Sequence, residues 1–255
     1  MLQAEQQIYD TLWQPQEYLR QYYATPSVAD DEQANFEFAL NHLRHDGRFF
    51  SRAIEVGCGP TLHHACSFVT YVEELHLADY LPENLQEISK WLRQDPSAHN
   101  WEIYLRGILA LETETISTTD LQRRQQQLRQ KITQLKSIDL RHPCPLGDDA
   151  VYDLVFSYYC AEAISSSKTD WQTFMNHLLR LVAPGGTLYL TAMRQCRSYA
   201  VMDKDFPTAY IDELDLAAVL QANGFDATKT EIQVARSGAW TEQGFSSICM
   251  VKAER

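Results

Sequence analysis

Residues 51–68 read "SRAIEVGCGPTLHHACSF". Ala53, Ile54 and Val56 make a short apolar run of the kind that a strand buried on both faces carries, and Gly57 and Gly59 follow it at once. A strand, a glycine turn and a helix are therefore expected in that order. In such a unit the backbone amides at the helix start are expected to face a ligand, and the glycines let the main chain approach it closely. A tight structural turn needs the same glycines. The third glycine of the dinucleotide fingerprint is missing, with Pro60 and Thr61 standing where it would continue.

Outward from this turn the pattern repeats. Strands are expected at "RAIEVG", "LHLADY", "LKSIDL", "YDLVFSYYC" and "GTLYLTAM", with helices after "PTLHH", at "PENLQEISKWLRQ" and at "TDWQTFMNHLLRLVA". That alternation predicts an α/β, Rossmann-like parallel sheet with helices on both faces. "DELDLAAVLQANGF" reads as a helix with Asp212 as N-cap and Gly224 just past its end. "EIQVAR" and "GFSSICMVKA" add a final hairpin, giving about seven strands. Residues 1–50 read as a helical lid ahead of a catalytic part at 51–255, with Phe36, Leu40 and Leu43 at helical spacing before Gly47. A polar helical insert is expected over about 95–135, where Leu121, Leu128, Ile132 and Leu135 form one apolar stripe.

Composition narrows the function. The 255 residues carry 22 Lys plus Arg against 34 Asp plus Glu, a net charge of −12, so the general phosphate attraction of nucleic-acid binders is lacking. No leader pattern and no run of about 18 apolar residues occurs, which points to a cytoplasmic protein without a membrane span. The six cysteines, with no C-x-x-C pair, read as reduced apolar side chains. Adjacent His63 and His64 are expected to point in different directions, so no metal site is expected.

Further along, Asp79 closes the second strand 20 residues after Gly59, where an acid accepts ribose hydroxyls in any nucleotide fold of this plan. Asp139 in "KSIDL" stands at the end of the third, where a carboxylate can take an adenine amino proton. "YDLVFSYYCAEAIS" carries the fourth strand into the site, and Pro184, Gly185 and Gly186 stop a helix before the fifth. These five signals in order resemble the class I S-adenosylmethionine-dependent methyltransferases. "EYLRQYY", "GCGPT", "ADYLPEN", "KWLRQDPSAHNW", "IDLRHP" and "YYCAEAIS" resemble, more narrowly, the family of nicotinamide, phenylethanolamine and thioether or indolethylamine methyltransferases.

The resemblance implies a monomeric enzyme that uses S-adenosylmethionine and methylates a small-molecule amine, with a helical lid closing over both. It implies cofactor contacts at Tyr18 and Tyr23 in the lid, at Gly57, Gly59, Pro60 and Thr61 in the turn, at Asp79, Tyr80 and Asn84 near the ribose, at Asp139 and Leu140 near the adenine, and at Tyr158. Tyr159 is expected to pass the acceptor. Glu162 matches the position where amine-methylating relatives place a glutamate and is expected as base or anchor. The chain has His63 where the family has a tyrosine. The segment "LTAMRQCRSYAV" lacks the family's acid but offers Arg194, Arg197 and Tyr199, and Glu242 lies near a position that carries a pocket aspartate in catecholamine-type relatives. Glu162 and Glu242 in the pocket would select an amine. Arg194 or Arg197 turned inward would select a carboxylate or phosphate. An RNA or protein methyltransferase, an inactive cofactor-binding protein and a nicotinamide-dependent oxidoreductase fit the residues less well.

Overall fold

The computed structural model describes residues 2–238, 241 and 244–255. Three helices come first: α1 (Leu2–Leu12), α2 (Pro15–Tyr22) and α3 (Asp30–Asp46). Pro15 begins α2, where its missing N–H costs nothing, and Gly47 ends α3 in the left-handed conformation with φ of 57°. The sheet follows, from β1 (Phe50–Val56) through β2 (Val72–Asp79), β3 (Ile132–Ser137), β4 (Tyr152–Tyr158) and β5 (Val182–Met193) to β8 (Glu231–Arg236) and β9 (Ser247–Glu254). Its order is β3-β2-β1-β4-β5-β9-β8. The first five strands run parallel, while β9 is antiparallel to β5 and β8 to β9, which is the expected terminal hairpin. Among the described residues no helix is long and apolar enough to cross a membrane.

Two apolar layers sandwich the sheet. One packs α3, α4 (His63–Phe68), α5 (Pro82–Leu92), α6 (Glu102–Glu112) and α7 (Thr118–Lys131) on one face, with Phe68 stacked on Phe156 at 4.2 Å. The other packs α8 (Lys168–Leu179) and α9 (Glu213–Ala222) through Trp171, Phe174 and Leu216. Burying side chains of this size contributes about 1.5–3 kcal/mol each. The expected capping of α9 holds, since Asp212 accepts the amides of Leu214 and Asp215 and Gly224 has φ of 79°.

Three elements differ from the sequence reading, the first being β5, which begins at Val182 and takes in Pro184, Gly185 and Gly186, so that the helix before it ends already at Leu179. Ile132 and Leu135 lie in β3, opposite Leu75 and Leu77 of β2, so the insert's last helix stops at Lys131 and the strand begins three residues early. Their β-branched and alternating neighbours pair with an edge that would otherwise stay open. Asp139 and Leu140 consequently lie beyond the strand, in a turn where the Asp139 amide donates to Pro145 O at 2.9 Å. A small hairpin, β6 (Ser198–Val201) with β7 (Lys204–Pro207), was not expected.

That hairpin and α5 hold the N-terminal helices in place. Tyr22 O–H donates to Ala200 O at 2.7 Å and Lys204 pairs with Glu17 at 2.8 Å on one side. Trp13 Nε1 donates to Asn84 Oδ1 at 2.8 Å on the other. Beneath them lies a buried charged cluster: Glu32 of α3 reaches His63 Nε2 at 3.2 Å and His64 Nε2 at 3.0 Å, and His64 Nδ1 meets Glu55 Oε1 at 3.2 Å. Both imidazoles thus lie against one carboxylate, contrary to the divergence expected of adjacent residues, although only His64 hydrogen-bonds it and the His63 nitrogens have no hydrogen-bond partner.

The cluster makes stability depend on pH. Burial pulls the His64 imidazole down, but the Glu32 charge and the bonds to Glu32 and Glu55 outweigh it and lift it to about 9. Burial and the charge of His64 push His63 down to about 4. The raised His64 stabilises fully below its ordinary value of 6.5 and loses that contribution as pH rises through about 9; the depressed His63 loses its contribution as pH falls from 6.5 towards about 4. Between neutrality and about pH 9.5 the wild-type protein should therefore lose on the order of 2–3 kcal/mol more stability than His64→Gln. Denaturation curves across pH check this, and parallel curves for the two proteins would contradict it.

Candidate active site

A cleft opens where the strand order reverses between β1 and β4, at the carboxyl ends of the strands. The glycine turn forms its floor. Gly57 and Cys58 both donate to Ala78 O, at 2.8 and 3.0 Å, which ties the turn to β2. Gly57 has φ of 71° and faces Cys160, whose Sγ would lie 2.1 Å from an added Cβ, so only glycine fits. At Gly59, φ is 58° and the place of a Cβ is empty, leaving the main chain open to the cleft.

Two more of the turn's amides are bonded within the protein. Gly59 N–H donates to Asp79 Oδ2 at 2.8 Å and Thr61 N–H to Cys58 O at 3.3 Å. The following helix spans only six residues, all buried, and of its first two His64 lines the cleft while His63 does not. What the turn supplies is close approach.

At the end of β2, Asp79 also accepts Leu81 N–H at 2.9 Å and Asn84 Nδ2 at 2.8 Å. Three donors fill three of its about four lone-pair positions and fix the carboxylate's orientation on the cleft. Burial raises its affinity for a proton, and those same three bonds oppose this. Tyr80 and Asn84 line the cleft beside it, as do Ile138, Asp139, Leu140 and Arg141 from the turn after β3. Arg141 grips Asp139 with Nε at 2.7 Å and Nη2 at 2.5 Å, and its guanidinium stacks 4.7 Å from the Tyr80 ring centre. The Asp139 carboxylate, expected to face an adenine, is thus already engaged by a neighbouring cation.

The cap closes the other wall. Tyr18 and Tyr23 line the cleft with their hydroxyls 3.4 Å apart, and Tyr158 and Tyr159 line it from the end of β4. Tyr158 stacks on His64 at 3.9 Å. Tyr9, Trp13 and Gln6 of the first helix and its following loop also line it, although the sequence reading named none of them. Tyr9 O–H donates to Ala163 O at 2.5 Å and lies 3.0 Å from the Tyr199 oxygen. His63 stays out of the cleft, stacked on Trp101 at 5.2 Å.

A second cavity adjoins the first. Tyr18, Tyr23, Tyr159 and Tyr199 line both, so these four rings form the passage between them. Its remaining wall is Tyr22, Ala29, Met193, Phe245 and two carboxylates of α3, Asp31 and Glu32. The sequence reading missed both acids, because acidic residues in a helix's first turn are commonplace and exposed; here they are 3% and 4% exposed.

Four expected residues fall elsewhere. Pro60 is buried in the turn but does not line the cleft. Glu162 sits in the short turn Ala161–Ala163, 2% exposed, with Oε1 accepting Met193 N–H at 2.9 Å, and lines neither cavity. Burial pushes its carboxyl up to about 7 against that bond. Arg194 is held by Glu213 through Nε at 2.6 Å and Nη2 at 3.0 Å and lines neither cavity. Arg197 stacks 4.3 Å from the Tyr210 ring centre. Glu242 lies outside the described residues.

A family model for the NNMT/PNMT/TEMT family matches residues 2–255. Phenylethanolamine N-methyltransferase of Mus musculus is 28% identical over 177 residues, covering 68% of this chain and 59% of that protein. The match thus spans about three fifths of that relative's length. Indolethylamine N-methyltransferase of Mus musculus is 26% identical over 257 residues, covering 97% of this chain and 94% of the relative. Among solved structures, magnesium protoporphyrin IX methyltransferase of Synechocystis with bound S-adenosylmethionine has the same fold, with a TM-score of 0.60 at 13% identity over 100% of this chain and 96% of that one. The chain, matched from residue 2 to its last, belongs to the NNMT/PNMT/TEMT family.

Proposed function

We propose that this protein is an S-adenosylmethionine-dependent N-methyltransferase that acts on a small-molecule amine. The observation that carries this reading is the pair of cavities meeting at Tyr18, Tyr23, Tyr159 and Tyr199, one with nucleotide-type carboxylates at its far end and one with buried acids in an aromatic wall. The residues fit the cofactor. Asp79 and Asn84 would hold the ribose, Tyr80, Leu140 and Arg141 would wall the adenine, and the Asp139 carboxylate, already accepting from Arg141, would also accept from the adenine amino group. Gly57 and Gly59 give the methionine part room beside Thr61. With His63 stacked in the core, the paired hydroxyls of Tyr18 and Tyr23 are the groups placed to meet its carboxylate.

The cofactor, when bound, supplies an activated methyl group. The chain's own contribution is to hold an acceptor in line with it, to exclude water and to receive a proton. Fixing the reacting atoms and keeping the site dry is the work of the helical cap, whose aromatic residues Tyr9, Trp13 and Tyr18 close the cleft. Glu162 supports the wall through Met193 and contributes its shape rather than a proton. The buried acids favour a cation, and neither Arg194 nor Arg197 reaches the second cavity to favour an anion. All six cysteines are unpaired, in keeping with a reducing, cytoplasmic setting.

Calorimetric titration with S-adenosylmethionine, paired with methyl transfer to amines read by mass spectrometry, tests this reading. Asp79→Asn should weaken cofactor binding by about 1.5–3 kcal/mol, the cost of lost charge-assisted hydrogen bonds; unchanged affinity would place the ribose elsewhere. Glu162→Gln, which keeps an oxygen for Met193 N–H, should leave turnover within about threefold, far from the loss of about 100-fold or more that removing a general base brings. A loss of that size would return Glu162 to the acceptor.

A further inference from the structure

The cluster beneath the cap has the composition and spacing of a metal site, contrary to the expectation from sequence. We propose that Glu32, His63 and His64 bind one Zn²⁺ ion, which fastens the cap to the helix after the glycine turn.

His63 is fully buried, and neither of its ring nitrogens has a hydrogen-bond partner. Its Nε2 lies 3.2 Å from Glu32 Oε1, close enough for a hydrogen bond yet not aligned for one. Two ligands of one zinc ion, each about 2.0–2.2 Å from the metal, stand about 3.0–3.5 Å apart and point at the ion rather than at each other. His64 Nε2 lies 3.0 Å from Glu32 Oε2, and ligand atoms of the three residues lie within 4.8 Å of one another. The spacing that a shared ion requires is thus already present. The two adjacent rings pack with centres 3.9 Å apart, side by side. A bond between His64 and Glu32 alone leaves His63 without a partner, whereas an ion takes both imidazoles and the carboxylate.

The surroundings of the three residues are those of a metal site. A ligating imidazole usually gives its other N–H to a carboxylate, which fixes the tautomer and the ring. His64 Nδ1 meets Glu55 Oε1 at 3.2 Å in that position. Asn35 Nδ2 donates to Glu32 Oε2 at 3.3 Å, and His63 is held by its stack on Trp101. Two imidazoles and one carboxylate suit Zn²⁺, whereas Mg²⁺ and Ca²⁺ take oxygen ligands. Glu32 lines the second cavity and His64 the first, so the set is reached from both. Three protein ligands leave the fourth position of the ion to water.

Glu32 belongs to α3 of the cap and both imidazoles to α4, so an ion held by all three binds only the docked cap and stabilises it. The pH dependence of stability derived for the cluster belongs to the ion-free protein, because bound imidazoles are neutral.

The test is calorimetric titration of the full chain, stripped with EDTA, with Zn²⁺, and with Mg²⁺ and Ca²⁺ for comparison, while thermal unfolding is followed on the same samples. One equivalent of Zn²⁺ should bind and raise Tm, with no effect of Mg²⁺ or Ca²⁺. Glu32→Gln and His63→Tyr should each weaken zinc binding by about 100-fold or more, and Glu55→Gln by about 10–100-fold, the range for an outer partner. Co²⁺ bound to the wild-type protein, a readout that needs no variant to fold, should give the visible spectrum of a four-coordinate ion without a thiolate charge-transfer band. No zinc binding by the wild-type protein would overturn the inference. So would wild-type zinc affinity in folded Glu32→Gln and His63→Tyr proteins, or a thiolate band, which would assign the ion to a cysteine. Each of these outcomes leaves the methyltransferase reading intact, since that reading is tested by cofactor binding and methyl transfer.

Discussion

The Glu32 carboxylate sits between two imidazoles, and the rest of the site is arranged around it. It belongs to α3 in the N-terminal cap, while His63 and His64 begin the helix that follows the glycine turn and Glu55 lies in β1. A buried carboxylate without partners costs several kcal/mol, so each side of this junction needs the other. Docking the cap satisfies Glu32, and the same docking sets Tyr18 and Tyr23 over the cleft. His64 then serves twice, holding Glu32 through one face of the network and stacking on Tyr158 with its ring. The glycine turn and the wall of the second cavity are thereby held in one rigid relation.

That relation matters more than any single reactive group. Displacement at a sulfonium methyl needs alignment and dryness, and a misplacement of about 1 Å can cost about 100-fold in rate. The fold meets the requirement by packing the cap between α5 and the hairpin of β6 and β7, so that it is fastened on both sides of the cleft. The two acids that line the second cavity come from this cap rather than from the loops at the strand ends. Closing the site and charging it are then one structural event.

Much of the sheet was legible because buried parallel strands are apolar runs bounded by turn residues, and the order of five such runs around "GCGPT" leaves few topologies. Two of the misread places had no punctuation. Lys131 passes directly from helix into strand at Ile132 without glycine or proline, so the strand was taken for helix. The β6–β7 turn uses Met202 at φ of 56°, a conformation that glycine normally announces. Thirteen of the expected site residues line the cleft, from Tyr18 to Tyr199, because motif spacing fixes where backbone lies. Spacing does not fix where a side chain turns. Glu162 is at the expected place in the chain yet bonds to Met193 N–H, and Asp31 reads as an ordinary helix-start acid until α3 is brought beside Tyr159.

The most direct test of this account is a crystal structure with S-adenosylhomocysteine and a bound alkylamine. The homocysteine sulfur should lie at the passage lined by Tyr18, Tyr23, Tyr159 and Tyr199, with the amine nitrogen beyond it in the second cavity. A sulfur directed away from that passage, or an amine seated against Glu162 instead, would contradict it.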